Sequence, residues 1–143
     1  MREKNTDSRK QEEPSSSLKD NPSLKKHFGT DGIRGIPNES LTEEIVSKVC
    51  SSVEKILSPK TIALIADTRS SSETIAMWIS NGFSQEVTIF NYGILPSGSM
   101  PILLDELNHD MGIIISASHN PSEYNGIKLI DKNGSKLTDE VEI

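Results

Sequence analysis

Short apolar runs alternate with amphipathic stretches along most of this chain, and the alternation restricts the folds open to it. Four runs have the length and apolar character of buried strands, at residues 61–66, 87–90, 112–115 and 126–130. Continuous apolar strands separated by helices are typical of a sheet that helices cover on both faces. The pattern therefore predicts an α/β fold, with a mixed, mostly parallel sheet and flanking helices. The last strand is expected to run antiparallel or to lie at an edge.

The stretches between the strands have helical periodicity. Over about residues 41–57, apolar side chains recur every three or four positions and form one apolar stripe along a helix. Ser40 and Glu43 match the capping-box pattern that marks a helix start. Further helices are predicted over about residues 71–81 and 98–108, and after Thr138. Residues 92–96 are predicted to form a loop.

The first 26 residues differ in composition from the rest of the chain. They contain seven basic and five acidic side chains, but only Met1, Leu18 and Leu24 as apolar ones. Such a stretch buries too little apolar surface to offset the entropy lost on ordering. We therefore predict a disordered extension over residues 1–26 and one domain over residues 27–143, which is large enough for a single hydrophobic core.

Charge and cysteine content argue against several classes of protein. The formal net charge of the 143 residues is −6, and residues 27–143 carry eight basic against sixteen acidic side chains. This balance disfavours nucleic acids and anionic membranes as partners. The sequence has no apolar run long enough to span a bilayer and no secretory signal. The single cysteine, Cys50, excludes an internal disulfide and is interpreted as a structural residue of a cytoplasmic protein.

Three polar loops are candidates for a functional site, at residues 29–35, 67–69 and 116–121. In α/β sheets, ligands bind beyond the carboxyl ends of the strands, where loops of this kind lie. The glycine-rich loop at residues 29–35 lacks the Gly-Lys-Ser/Thr ending of a P-loop. Taken alone, it is more consistent with a tight turn than with a nucleotide site.

The loop that contains Ser118 carries the most chemical information. Ser118 could act as a nucleophile or carry a phosphate, and His119 could move a proton. Lys128 could neutralise phosphate charge or act as an acid or base. Arg34 and Arg69 offer planar sets of donors for phosphate oxygens. The residues by themselves leave open the alternative of an ordinary polar loop with satisfied hydroxyl groups.

Taken together, these motifs resemble one protein family, the α-D-phosphohexomutases. The matching stretches are FGTDGIRG at residues 28–35, DTR at 67–69, GIIISASHNPSEYNGIKLID at 112–131 and GSKLTDEVE at 134–142. They occur in the order and spacing of the family's first domain. The combination is most similar to the bacterial phosphoglucosamine mutase branch of the family.

The resemblance implies a phosphoserine mechanism. In the family, a serine of the SASHNP loop, here Ser118, donates its phosphate to a hexose phosphate and recovers the sugar's other phosphate. In this branch, the reaction converts glucosamine 6-phosphate to glucosamine 1-phosphate. The resemblance assigns proton transfer to Lys128, stabilisation of transition-state charge to Arg34, and a position beside the phosphoserine to His119.

The resemblance also implies binding residues and a metal. Thr30, Arg69 and Asn120 are expected to bind substrate or phosphate. One Mg2+ ion is expected to bind a phosphate oxygen on Ser118. Its other ligands are expected from outside this sequence, because the family's Asp-x-Asp-x-Asp-Arg loop does not occur in it.

The sequence departs from the family in extent. The family enzymes have four domains around one cleft, and this sequence resembles the first alone. We therefore expect the chain by itself to be inactive, or to be completed by domains on another chain. Apolar surface is expected to be exposed where further domains would pack. Two alternatives remain open: a phosphomannomutase or phosphoglucomutase of the same family, or a non-catalytic domain that binds a sugar phosphate or a partner protein.

Overall fold

The computed structural model describes residues 28–29 and 32–134. Its strands are β1 (Phe28–Gly29), β2 (Gly32–Gly35), β3 (Thr61–Ala66), β4 (Thr88–Ile94), β5 (Met111–Ile115) and β6 (Asn125–Ile130). Its helices are α1 (Glu43–Leu57), α2 (Ser72–Gly82) and α3 (Met100–Glu106), the last preceded by a 3-10 turn at Ser97–Ser99. The extension predicted over residues 1–26, Thr30 and the helix predicted after Thr138 lie outside the described residues.

The six strands form one sheet in the order β1-β2-β6-β5-β3-β4. Strand β3 pairs in parallel with β4 and with β5. Strand β6 pairs antiparallel with both β5 and β2, and β1 pairs antiparallel with β2. Four strands, β2 to β5, therefore share one direction, which confirms the mixed, mostly parallel α/β sheet. The last strand is antiparallel as predicted, but it lies inside the sheet.

Helices pack on both faces of the sheet. Helices α1 and α2 cover one face through Val46, Val53, Ile75 and Ile79, which are fully buried. Helix α3 covers the other face through Met100 and Leu104, which lie in a smaller apolar cluster. In β3, Ile62 and Leu64 belong to the larger cluster, whereas Ala63 and Ile65 belong to the smaller one. Burial on both faces explains why this strand is continuously apolar.

Helix α1 begins two residues later than the sequence predicts. Thr42 is its N-cap, because its side chain accepts a hydrogen bond of 3.3 Å from the Ile45 N–H. The Ser40 hydroxyl instead accepts a bond of 2.8 Å from the Ile36 N–H. The predicted capping box of Ser40 and Glu43 is therefore wrong. Ser40 stabilises the turn before the helix.

Strand β4 is longer than predicted and includes Tyr92 and Gly93. Its register on β3 shifts at this point: Leu64 pairs with Asn91, and Ile65 pairs with Gly93. Tyr92 is therefore an extra residue in a bulge, and Gly93 has a φ of +82°. The predicted loop of residues 92–96 is therefore wrong over residues 92–94, because the glycine accommodates the bulge and the strand then continues to Ile94.

Two further features bear on the sequence predictions. Cys50 is buried between α1 and α2, and burial raises the pKa of its thiol to about 12, which suits a structural residue. Several large apolar side chains are exposed on α1, α2, β4, α3 and the turn after it: Leu57, Met77, Phe90, Ile94, Ile102 and Leu107. Among the described residues, no helix has the length and apolar character needed to cross a bilayer.

Candidate active site

The candidate site forms where two loops meet beyond the carboxyl ends of β3 and β5. Strands β3 and β5 are parallel neighbours, so their carboxyl ends lie side by side. The Asp67 N–H donates to the Ile115 carbonyl at 3.0 Å, which joins the two strand ends. The loop after β3 therefore lies against the loop of residues 116–124, hereafter the serine loop.

Lys128 on β6 contacts the hydroxyl of Ser118. Lys128 lies opposite Ile114 of β5, and its Nζ donates a hydrogen bond of 2.8 Å to Ser118 Oγ. Ser118 is exposed, whereas Lys128 is half-buried. The geometry presents one hydroxyl to solvent with an ammonium group beside it. Such a pair can carry a phosphate and exchange a proton with the serine oxygen.

The backbone of Ser118 is held in a strained conformation. Its φ is +54°, in the left-handed region that L residues other than glycine seldom adopt. The Ser118 N–H donates to Ser116 Oγ at 3.0 Å, and the Asn120 N–H donates to the Ala117 carbonyl at 3.0 Å. Strain of this kind persists only where surrounding contacts hold it in place, and it is frequent at functional positions.

Arg69 supplies many of those contacts. Its guanidinium donates to four backbone carbonyls of the serine loop: Ser118 at 2.7 Å, Pro121 at 2.8 Å, Tyr124 at 3.0 Å and Asn120 at 3.2 Å. Its Nε donates to the Asp67 carboxylate at 3.0 Å. These five bonds engage all five N–H groups of the arginine.

Arg34 reaches the serine loop from the opposite side. Its Nη1 donates a hydrogen bond of 2.7 Å to Asn120 Oδ1. Arg34 is paired with Gly126 of β6, where a Cβ atom would lie 3.0 Å from Arg34 Cγ and 2.9 Å from the Ser116 carbonyl oxygen. The glycine therefore provides the space in which the arginine and the loop approach one another.

Comparison with known proteins places this arrangement in a family. A family model described as phosphoglucomutase/phosphomannomutase, alpha/beta/alpha domain I, matches residues 25–143. The chain belongs to this family. It is 46% identical over 113 residues to a phosphoglucosamine mutase of Prochlorococcus marinus (strain AS9601), and 42% identical over 119 residues to one of Thermotoga petrophila.

These alignments cover 78% and 82% of this chain but only 25% and 27% of the relatives. The phosphohexomutase domain described here thus spans about a quarter of the length of the curated relatives it matches. A solved structure from Thermus thermophilus superimposes with a TM-score of 0.72 at 23% identity, covering 80% of this chain and 28% of that one. A phosphoglucomutase/phosphomannomutase family protein from Burkholderia thailandensis gives 0.69 at 18% identity with the same coverage. Both confirm the fold.

The structure brings together most of the site residues that the sequence singles out in this phosphohexomutase domain. Ser118, Lys128, Arg34, Arg69 and Asn120 are linked by the hydrogen bonds described above. His119 is exposed beside Ser118, and its ring forms no hydrogen bond within residues 32–134. Lys128, Arg34 and Arg69 are the cationic side chains of this linked group, and cations of these types can bind the oxygens of a phosphate.

Asn125 is a structural part of the site that sequence reasoning missed. It is fully buried, and its amide nitrogen donates to Ser71 Oγ at 2.9 Å and to Ser72 Oγ at 3.1 Å. Its Oδ1 accepts a bond of 2.8 Å from the Gly126 N–H. These bonds tie the start of α2 to the start of β6. The available signal was a small polar residue at the start of a mostly apolar strand.

The expected magnesium ion lacks a ligand set in this part of the chain. Within the described ranges, no three His, Cys, Asp or Glu side chains are grouped so that they could hold a metal ion. Asp67, which follows β3, is already bonded to Arg69 through its side chain. The residues described here therefore do not fit a self-contained Mg2+ site.

Proposed function

We propose that this chain is the phosphoserine-bearing domain of a phosphoglucosamine mutase, an enzyme that interconverts glucosamine 6-phosphate and glucosamine 1-phosphate in the cytoplasm. The observation that carries the proposal is the 2.8 Å hydrogen bond from Lys128 Nζ to the exposed Ser118 Oγ. The choice of sugar follows the relatives, which are named phosphoglucosamine mutase at 41–46% identity.

The proposed first step transfers the phosphoryl group from Ser118 to the sugar. A sugar hydroxyl attacks the phosphorus of phospho-Ser118, and the bond from phosphorus to Oγ breaks. Lys128, which contacts Oγ in the unphosphorylated chain, supplies a proton to the departing serine oxygen. The hydroxyl of the sugar releases its own proton to the solvent as the new P–O bond forms, and the solvent returns a proton to the sugar oxygen in the second step.

The second step reverses these roles at the other phosphate of the bisphosphate sugar. Ser118 attacks that phosphorus and returns its proton to Lys128, while the released sugar oxygen takes up a proton. The sum of the two steps moves one phosphate from one sugar oxygen to another and regenerates phospho-Ser118. Protons, bonds and charges therefore balance over the cycle.

The guanidinium of Arg34 is proposed to stabilise charge on the transferred phosphoryl group. It reaches the serine loop through Asn120 at 2.7 Å, so it approaches the loop from the β2 side of the sheet. Fixed donors aimed at developing negative charge are the largest contribution to many phosphoryl-transfer reactions. Asn120 is proposed to orient this guanidinium, and Thr30 to contribute to phosphate binding.

Full turnover is proposed to need more protein than residues 32–134 supply. Ser118 and His119 are exposed, so nothing in residues 32–134 encloses a sugar above the serine. Phosphoryl transfer to a sugar requires an aligned acceptor and the exclusion of water. We propose that further domains, either in the same polypeptide or on another chain, supply this enclosure and the ligands of Mg2+.

The test is phosphate uptake by the purified chain. Intact-mass spectrometry after incubation with glucosamine 1,6-bisphosphate and Mg2+ is expected to show the gain of one phosphoryl group, mapped by peptide analysis to Ser118. The variant Ser118→Ala should gain none, whereas the matched control Ser122→Ala, an exposed serine of the same loop, should be labelled as the wild type is. Labelling that persists in Ser118→Ala would contradict the proposal, whereas its absence from a folded wild-type chain would mean that transfer to Ser118 also needs the further domains.

The same assay compares sugars. Glucose and mannose 1,6-bisphosphates, supplied at the same concentration, are expected to label Ser118 more slowly than the glucosamine compound does. Faster labelling by either one would favour a phosphoglucomutase or phosphomannomutase. Circular dichroism of each variant shows whether a loss of labelling reflects a loss of fold.

A further inference from the structure

We propose that Arg69 is a positioning residue, which holds the backbone of the serine loop so that Ser118 Oγ faces Lys128, and that it does not bind the phosphate of the substrate. This inference rests on the proposed function, because it assigns Arg69 a role in the chemistry of Ser118. It differs from the expectation that the sequence raised for this arginine.

The first argument is that the donors of Arg69 are already engaged. Four of its N–H groups reach the carbonyls of the serine loop, and the fifth reaches Asp67. Its side chain is only 11% exposed. A substrate phosphate could bind this guanidinium only by displacing hydrogen bonds that charge makes stronger than neutral ones.

The second argument is the orientation of the Ser118 peptide unit. The shortest of the four carbonyl contacts is the one to Ser118, at 2.7 Å. Fixing the carbonyl of a residue with a φ of +54° limits the rotation of its backbone, and thereby sets the direction of its Cβ and Oγ. Arg69 therefore holds the carbonyl of Ser118, and Lys128 contacts its hydroxyl.

The third argument is that Arg69 is itself held in place. Asp67 accepts from the Arg69 side chain at 3.0 Å through one oxygen and from its backbone N–H at 3.2 Å through the other. Both residues follow β3, whose end is joined to β5 by the bond from the Asp67 N–H to Ile115. Arg69 therefore fixes the serine loop relative to the end of β3.

The chemistry of lysine separates positioning from phosphate binding. Lysine keeps the positive charge and binds phosphate as a point charge, but it cannot supply a planar set of five donors. If Arg69 positions the loop, Arg69→Lys should be nearly as impaired as Arg69→Ala. If Arg69 binds the substrate's phosphate, Arg69→Lys should keep most of the activity.

The experiment combines two measurements on the full chain. Amide hydrogen exchange without ligand is expected to quicken about tenfold or more at Asn120 and Tyr124 in Arg69→Ala and Arg69→Lys, the scale of losing a hydrogen bond to a charged group. Exchange in the core of β3 and β5 should stay unchanged. The matched control Lys48→Ala removes an exposed cation on α1 and should behave as the wild type does.

The second measurement is the rate of Ser118 phosphorylation against the concentration of glucosamine 1,6-bisphosphate. The rate at saturation is expected to fall about tenfold to a hundredfold in both Arg69 variants, with little change in the half-saturating concentration. Added guanidinium ion should partly restore the rate in Arg69→Ala. If hydrogen exchange in the core shows that the Arg69 variants do not fold, Asp67→Asn is measured instead. This variant removes the charge that pairs with Arg69 and leaves the arginine in place.

The outcomes are distinct. Unchanged loop exchange, or a raised half-saturating concentration with the saturated rate retained in Arg69→Lys, would overturn the positioning role. If the wild-type chain takes up no phosphate, transfer to Ser118 needs the further domains, and the exchange measurement alone decides whether Arg69 holds the loop.

Discussion

The Nη1 of Arg34 donates a hydrogen bond of 2.7 Å to Oδ1 of Asn120, and the two residues lie 86 positions apart in the chain. This bond joins β2 to the serine loop. Arg69 holds the same loop from the end of β3, so the two arginines contact it from different strands. The serine that is proposed to carry phosphate therefore projects from a loop that the sheet fixes on two sides, as a preorganised site requires.

Replacing Lys128 tests the proton-transfer role. Lys128→Met removes the only side-chain donor recorded on Ser118 Oγ within the described residues but keeps the apolar stem. The rate of Ser118 phosphorylation is expected to fall about a hundredfold or more, the usual contribution of a general acid or base. Quantitative intact-mass time courses measure this, with Lys132→Met, an exposed lysine beyond β6, as control. An unchanged rate in a folded Lys128→Met variant would remove this residue from the mechanism.

Substituting Gly126 tests the close approach of Arg34 to the serine loop. A Cβ at this position would lie 2.6 Å from the Ile33 carbonyl oxygen and 2.9 Å from that of Ser116, both of which are backbone atoms. Gly126→Ala is expected to destabilise the fold by about 1–3 kcal/mol because backbone must shift. Gly98→Ala, where no atom lies within 4 Å of the added carbon, is the control. Urea unfolding curves measure the difference, and equal stability of the two variants would refute it.

Removing the Asn125 amide tests the buried polar link between α2 and β6. Asn125→Ala leaves the hydroxyls of Ser71 and Ser72 and the Gly126 N–H without this partner. We expect a loss of about 2–4 kcal/mol in the free energy of unfolding, since several buried polar groups lose a bond together. Asn81→Ala, at an exposed position near the end of α2, should change it by less than about 0.5 kcal/mol. A similarly small effect for Asn125→Ala would mean that water replaces the amide.

The stability of the fold should decrease in mild acid because of His109. This histidine is buried, and Tyr92 OH lies 2.6 Å from its Nε2. Burial lowers the pKa of His109, and the charge of Asp110 opposes that shift in part. Because the unfolded chain binds the proton more tightly, the contribution to stability is present above about pH 6.5 and is lost as the pH falls below it.

Thermal unfolding between pH 7.5 and pH 5 measures this effect. The melting temperature of the wild type is expected to fall over that range, and His109→Gln should show a smaller fall. Glu54 and Asp110 also have lowered pKa values, because hydrogen bonds stabilise their charged forms, but their effects begin only near pH 4.5 and below. Identical pH dependence in the wild type and His109→Gln would contradict the assignment.

Local sequence patterns predicted the elements of the fold well and their details less well. The apolar run at Thr61–Ala66 is a strand with its predicted ends, and Pro101 lies in the first turn of α3, where proline is tolerated. The start of α1 was misassigned because Ser40 and Thr42 are both good capping residues, and only the fold of the preceding turn selects Thr42. The continuation of β4 through Gly93 was likewise misassigned as a loop, because glycine is typical of turns and here accommodates a bulge.

For the candidate site, the sequence likewise predicted the residues but not their contacts. Ser118, Lys128, Arg34, Arg69 and Asn120 were identified from motifs, and the structure places them together. What the motifs did not reveal is the partner of each side chain. Four of the five acceptors of the Arg69 side chain are backbone carbonyls 49 to 55 residues away, and every residue type carries an identical carbonyl.

The sequence by itself determined the alternation of strands and helices, the α/β class and the chemical groups available to the site, because periodicity and residue type are local properties. Only the tertiary structure decided that β6 lies inside the sheet, that Ser118 adopts a positive φ, and that Arg69 turns toward the loop backbone. The physical reason is that a side chain selects among many equivalent partners, and the strand order determines which of them come within hydrogen-bonding distance.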